Sequence, residues 1–293
     1  MHFKFGVLAT LAIGFVPALA QSGEGQFERC ASNPSKEKIK AAQASFIAKK
    51  KVSKTFQLDF SAEIPVHWYA IQAGQSLEEG HIPASQINDS IAVLNADYKP
   101  AGISFKLVSS AYITNETWFN WAGPGPDLPQ FTYQTAMKKA LRQGGVSTLN
   151  LYTTSFVNTT KPALLGYATF PEDYQSAPTD DGVVIRYSTL PGGSSRFNLG
   201  KTLTHEVGHW LGLLHTFSDD CDDDGDMVSD TPAQLNQTSG CPSTPPDSCP
   251  GQPGLDPIHN FMDYSDDICL LEFTPGQIQR IHEQFTVFRG SSV

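Results

Sequence analysis

The run His205-Glu206-Val207-Gly208-His209-Trp210-Leu211-Gly212-Leu213-Leu214-His215 constrains this chain more than any other segment, because it dictates a helix, the end of that helix and a return of the chain. An α-helix turns about 100° and rises about 1.5 Å per residue, so His205 and His209 lie one turn apart on one face and can chelate one ion. Glu206 projects from the same helix about 100° further round, placed to reach a water in the remaining coordination position of a zinc ion, and is the general-base candidate. Gly212 can adopt the positive φ that stops the helix, so His215 approaches the same metal without another helical turn. A bare H-E-x-x-H arises in ordinary helices, but an amphipathic core helix has no reason to place a glycine and a third histidine at this spacing. The segment reads as the three-histidine zinc site of a peptidase, with His205, His209 and His215 on the metal and Glu206 catalytic.

The N-terminus indicates where such a protein would work. Lys4, an apolar run over residues 5–16 and Ala18-Leu19-Ala20 match the charged, apolar and small-residue regions of a secretory signal peptide, assigned to residues 1–20. No later segment approaches the roughly 20 apolar residues a bilayer span needs. A soluble, secreted, extracellular product with no membrane partner is expected. The net charge is −10, and from Thr55 onward 11 Lys and Arg stand against 27 Asp and Glu. That balance repels phosphate backbones, so nucleic acid is excluded as a partner. In an oxidising compartment Cys221, Cys241, Cys249 and Cys269 suggest two disulfides, for which sequence alone permits three pairings. Asn88, Asn115, Asn158 and Asn236 head candidate glycan-acceptor triplets, whereas Pro34 excludes Asn33.

Residues 21–54 are polar and lysine-rich, with a weak helical stretch at 39–47, and read as a pro-segment. Residues 55–293 then form one catalytic domain. Strands are expected at 63–71, 103–108, 148–153, 167–170 and 183–187, and helices through Ile87, Ile91, Leu94 and Tyr98 and over 131–141. After His215 comes an acidic, proline-rich stretch with little periodicity that disulfides would have to hold together. A last helix opens at Thr274-Pro275-Gly276-Gln277, where Thr caps, Pro takes the first helical position and Gln the third. The fold class is α+β, with an α/β-like upper part.

Downstream of the histidines, Asn260-Phe261-Met262-Asp263-Tyr264 places a methionine in a tight polar turn and a tyrosine two residues later. Together with the long histidine motif this resembles a metzincin, in which the thioether packs beneath the metal. Residues 205–217, 225–233, 247–250 and 260–264 are similar to the pappalysin family, in its secreted fungal branch of extracellular metalloproteases. The likeness extends over most of residues 60–290. It implies a twisted mixed sheet, an active-site helix, an irregular disulfide-linked lower subdomain and a C-terminal helix. It also implies one catalytic zinc ion, protein or peptide substrates bound extended along the sheet edge near residues 167–170, and a monomer. Disulfides Cys221–Cys249 and Cys241–Cys269 follow from the same likeness. A zinc-bound water activated by Glu206 would attack the peptide bond, and Tyr264 would steady the oxyanion.

Arg29-Cys30-Ala31-Ser32 is similar to the segment in which relatives carry a cysteine switch, with Ala31 and Ser32 in place of Gly-Thr; a thiolate there would make the chain a zymogen. The likeness further implies calcium near Asp226 and Thr231. The opening Asp220-Cys221-Asp222-Asp223-Asp224-Gly225 copies an EF-hand loop but lacks its closing glutamate. Gly200-Lys201-Thr202 mimics a P-loop ending without the first glycine. If Asp267 points inward, arginine or lysine would be preferred after the scissile bond. His67, His81, His259 and His282 show no ligand spacing. A catalytically silent, zinc-containing secreted binding protein is the rival reading, and an amidase acting on non-protein substrates a weaker one. Retention of Glu206 argues against silence, since a structural zinc site needs no acid there.

Overall fold

The computed structural model describes residues 27–52, 60–161 and 163–290. The signal-peptide assignment, and the boundary placed after residue 54, lie outside the described residues. The centre of the fold is a six-stranded sheet in the order β1-β5-β6-β4-β2-β3. Its strands are β1 (Glu28–Cys30), β2 (Ala62–Gln72), β3 (Ile103–Thr114), β4 (Leu149–Thr154), β5 (Leu164–Ala168) and β6 (Val183–Arg186). β3, β2, β4 and β6 are mutually parallel, while β5 runs antiparallel to β6. Parallel strands need crossovers that cover both faces, and both faces of β2 are accordingly apolar. Ile64, Val66, Trp68 and Ala70 face a core shared with α2 (Ala84–Tyr98) and α5 (Lys201–Trp210). Tyr69 and Ile71 face a second core with α3 (Glu116–Trp121), α4 (Pro129–Leu141) and the buried Tyr152 and Phe156.

Most expected elements form, with instructive differences. β3 continues past residue 108 to Thr114 because the outer half of β2 pairs with it after a register shift between Val66 and His67. β5 lies at Leu164–Ala168 rather than 167–170, since Gly166 and Ala168 register against Ile185 and Val183 and the chain then turns at Pro171. The helix expected at 39–47 spans Lys36–Val52 as α1, with the Ser35 hydroxyl accepting from the Lys38 amide. Neither β1 nor α3 was legible in the sequence. Both are short, and α3 depends on an Asn115 side chain that caps it at the Trp118 amide.

Beyond α5 the chain is irregular up to α6 (Pro275–Gln284), and Cys221–Cys249 and Cys241–Cys269 cross-link it. α6 opens with the expected capping box between Thr274 and Gln277. Past α6, the buried Arg289 donates to the Trp210 carbonyl and pairs with buried Asp181, tying the last segment to the end of α5. Among the described residues, no helix is long and apolar enough to cross a membrane.

Candidate metal centre

α5 holds His205 and His209 fully buried, one turn apart, and the chain folds back to bring His215 beside them. The three Nε2 atoms form a triangle with sides of 3.2, 3.0 and 3.2 Å. Nδ1 of His205 lies 2.7 Å from the Phe261 carbonyl and Nδ1 of His209 lies 2.9 Å from the Leu213 carbonyl. A carbonyl only accepts, so both Nδ1 atoms carry the proton and both Nε2 lone pairs face the centre. Burial lowers the basicity of all three rings: His209 falls to about 4, and His205 and His215 fall well below the usual imidazole range, with neighbouring histidines adding to the effect. Neutral imidazoles about 3 Å apart fit zinc, whose bonds to nitrogen of about 2.0–2.1 Å at tetrahedral angles separate donors by about 3.3 Å. Among the described residues this is the one group of three or more His, Cys, Asp or Glu donors, and its fourth member is Cys30.

The return of the chain depends on two glycines. Gly212 takes a φ of 95°, and the Leu213 amide donates to the Gly208 carbonyl, closing the helix end. Gly208 has no room for a side chain: a Cβ there would lie 2.5 Å from the Met262 sulfur. The Met262 turn is fastened by the Asn260 side chain, which accepts from the Met262 amide, and the thioether seats directly on α5. A Gly208→Ala substitution is therefore expected to destabilise the protein by about 1–3 kcal/mol through overpacking. Denaturant titration checks this. Combining it with Met262→Ala should cost less than the sum of the two single changes, and strict additivity would show that the two positions do not press on each other.

The cleft is filled from the N-terminal side. β1 adds to the free edge of β5 in parallel register, Glu28 opposite Leu164 and Cys30 opposite Gly166. An extended segment thus pairs with β5 at residues 164–166, next to the edge near residues 167–170 where the family likeness places peptides. The Cys30 thiol donates to Glu206 Oε2 at 3.3 Å, and burial followed by the Glu206 charge pushes the thiol well above its ordinary pKa. Glu206 is fully buried, its other oxygen lacks a partner, and burial raises its carboxyl to about 8. Gly166 gives the carboxylate its space, since a Cβ at that position would stand 2.9 Å from Oε1. The Tyr264 hydroxyl donates to the Cys30 carbonyl at 3.0 Å, while its ring meets His215 edge-on. A backbone carbonyl in this cleft therefore lies within reach of that hydroxyl.

Next to Cys30, Arg29 enters a closed pocket. Its guanidinium donates to Asp267 Oδ1 and to the Ser265 carbonyl, each at 2.8 Å, and the pair is almost wholly buried. Asp267 does point inward, held by the Leu199 amide on its second oxygen, whereas Asp266 faces Arg196 instead. On the far side of the histidines a cavity of about 650 Å³ lies between α1 and the acidic loop, bordered by His215, Phe217, Asp220 and Tyr264.

All five expected site residues thus come together. His67, His81, His259 and His282 bond instead to Ser109, Gln72, the Cys269 carbonyl and the Ala101 carbonyl. The calcium expectation gains no support. Asp226 accepts from the Val228 amide and Gln277, and Asp230 accepts from the Thr274 hydroxyl and the Gly276 amide at the start of α6. Sequence reasoning missed Arg29 as the partner of Asp267, Gly166 as the seat of Glu206 and Phe197 as a pocket wall. No local pattern marks any of them.

Comparison with known proteins agrees with this geometry. A family model described as pregnancy-associated plasma protein-A, peptidase M43, matches residues 146–286. An extracellular metalloprotease of Verticillium alfalfae is 43% identical over 291 residues, covering 97% of this chain and 98% of that one. The structure of a Tannerella forsythia promirolysin mutant superposes with a TM-score of 0.69 at 26% identity, over 88% of this chain and 94% of that one. Mature mirolysin of the same organism, in complex with a cleaved peptide, gives 0.63 at 27% identity, over 78% and 92%.

Proposed function

We propose, from the premise that this chain belongs to the pappalysin-type peptidase M43 family of metzincins, that it is a secreted zinc endopeptidase whose own residues 27–33 hold it latent. The observation that carries the reading is the triangle of three buried Nε2 atoms with the Glu206 carboxylate beside it. His205, His209 and His215 would hold the ion. Zinc bound there acidifies water and polarises the scissile carbonyl. The remaining work belongs to the chain. The edge of β5 aligns an extended peptide along the path of β1 but in the opposite chain direction, antiparallel to β5, so that the residues after the cut lie where Arg29, Glu28 and Phe27 now lie. Glu206 removes a proton from the attacking water as its oxygen bonds to the carbonyl carbon, then delivers that proton to the amine nitrogen as the carbon–nitrogen bond breaks. Tyr264 donates to the carbonyl oxygen as charge develops on it, from the position where it now donates to Cys30. Asp267 binds arginine or lysine in the residue after the cut, the place Arg29 now occupies.

A silent binding protein is disfavoured because it has no use for a buried, half-unpaired carboxylate beside the histidines. The matched fungal relatives are themselves named metalloproteases. Extracellular action agrees with those names. Removing metal with a chelator is expected to abolish peptide cleavage, and zinc should restore it. Hydrolysis that persists in the stripped protein contradicts the reading.

Latency has its own test. Cys30 is a buried free thiol whose sulfur, with the three imidazole nitrogens, forms a four-atom cluster within 4.8 Å. A thiolate there would displace the attacking water. The Cys30→Ser protein, secreted at full length, should cleave peptide at least about 10-fold faster than the unprocessed wild type, equivalent to losing roughly 1.4 kcal/mol of self-inhibition. Equal activity in the two unprocessed proteins would remove the thiol from the mechanism.

A further inference from the structure

We propose that Phe197 and Arg196 form a second specificity subsite, which takes an aromatic side chain at the third residue after the scissile bond. The inference rests on the Asp267 pocket receiving the residue that follows that bond. Phe197 is buried between two side chains of the segment in the cleft. The Arg29 guanidinium lies 5.2 Å from its ring centroid, and the Phe27 ring meets it edge-on at 5.6 Å and 81°. Arg196 covers both rings, 4.7 Å from the centroid of Phe197 and 5.7 Å from that of Phe27, and is itself steered by Asp266 at 3.7 Å. Side chains alternate along an extended chain, so residues 27 and 29 share a side while Glu28 turns the other way, toward Lys161. A substrate that places arginine on Asp267 and leaves the metal along the same path in the opposite chain direction presents its third residue where Phe27 sits, since alternation of side chains is the same in either direction. Edge-to-face and cation–π contacts both favour an aromatic ring there.

Two peptide series test this on the zinc-loaded secreted enzyme, one with Arg and one with Leu after the scissile bond. Each varies the third residue among Phe, Leu, Ala and Asp. In the wild type, kcat/KM for Phe should exceed that for Ala by about 5- to 10-fold. Phe197→Ala should bring the ratio near one, and Arg196→Ala should lower it about twofold. Equal rates for Phe and Ala in the wild type, or a preference that survives Phe197→Ala, overturn the subsite. If Phe197→Ala does not fold, the wild-type ratio alone decides. Equal cleavage of the Arg and Leu series would instead remove the Asp267 reading, and the Phe-to-Ala ratio within either series would still judge Phe197.

Discussion

Replacing Glu206 with glutamine is expected to leave the zinc content unchanged and to lower kcat/KM for peptide cleavage by about 10²- to 10⁴-fold. Glutamine keeps the size of the side chain, so it still fits the space that Gly166 leaves against β5. It loses the ability to take a proton from water and return one to the amine. The zinc content should hold because Nδ1 of His205 and of His209 is fixed by the Phe261 and Leu213 carbonyls, neither of which touches Glu206. Metal analysis and peptide kinetics on the same preparation separate the two roles. If zinc is lost together with activity, Glu206 shapes the site rather than moving protons. If activity stays within about threefold of wild type, another group is the base.

Asp267→Asn is expected to cut the preference for arginine over leucine after the scissile bond by about 10²-fold, acting through arginine peptides and leaving leucine peptides nearly unchanged. The geometry makes this a clean change. An asparagine oxygen can still accept from the Leu199 amide, so the loop keeps its tie while an amide replaces the carboxylate facing the guanidinium. A buried guanidinium without its counter-charge is costly, and that cost is what the arginine substrate would meet. The same substitution removes the counter-charge of Arg29 and leaves it only the Ser265 carbonyl, so, on the proposed latency, activity of the unprocessed chain should rise in parallel. An unchanged ratio of Arg to Leu cleavage would show that the pocket does not receive that residue.

The legibility of this chain follows the range of the interactions involved. β2, α2, α4, β4 and α6 were recognisable because each writes its own period or cap within a few residues. β5 was displaced because a five-residue apolar stretch can slide, and only pairing with β6 fixes its register. β1 was invisible because three residues carry no period, and their partners lie on a strand more than a hundred residues away. Within the site, the disulfide pairing stayed open on sequence grounds alone, since four clustered cysteines do not say which two meet.

What the sequence determined by itself is the chemistry of the centre: two imidazoles on one helical face, a carboxylate between them, a glycine that ends the helix and a third imidazole after it. Those relations are set by bond geometry within one turn and its reversal, and they hold wherever the segment is placed. Tertiary structure alone decided what surrounds that centre. It chose the carbonyls that orient the rings, set Met262 on Gly208, and brought Arg29 to Asp267 across 238 positions of chain. Contacts of that kind belong to no local pattern, because they are selected by how whole elements pack and by which partners can satisfy a buried charge.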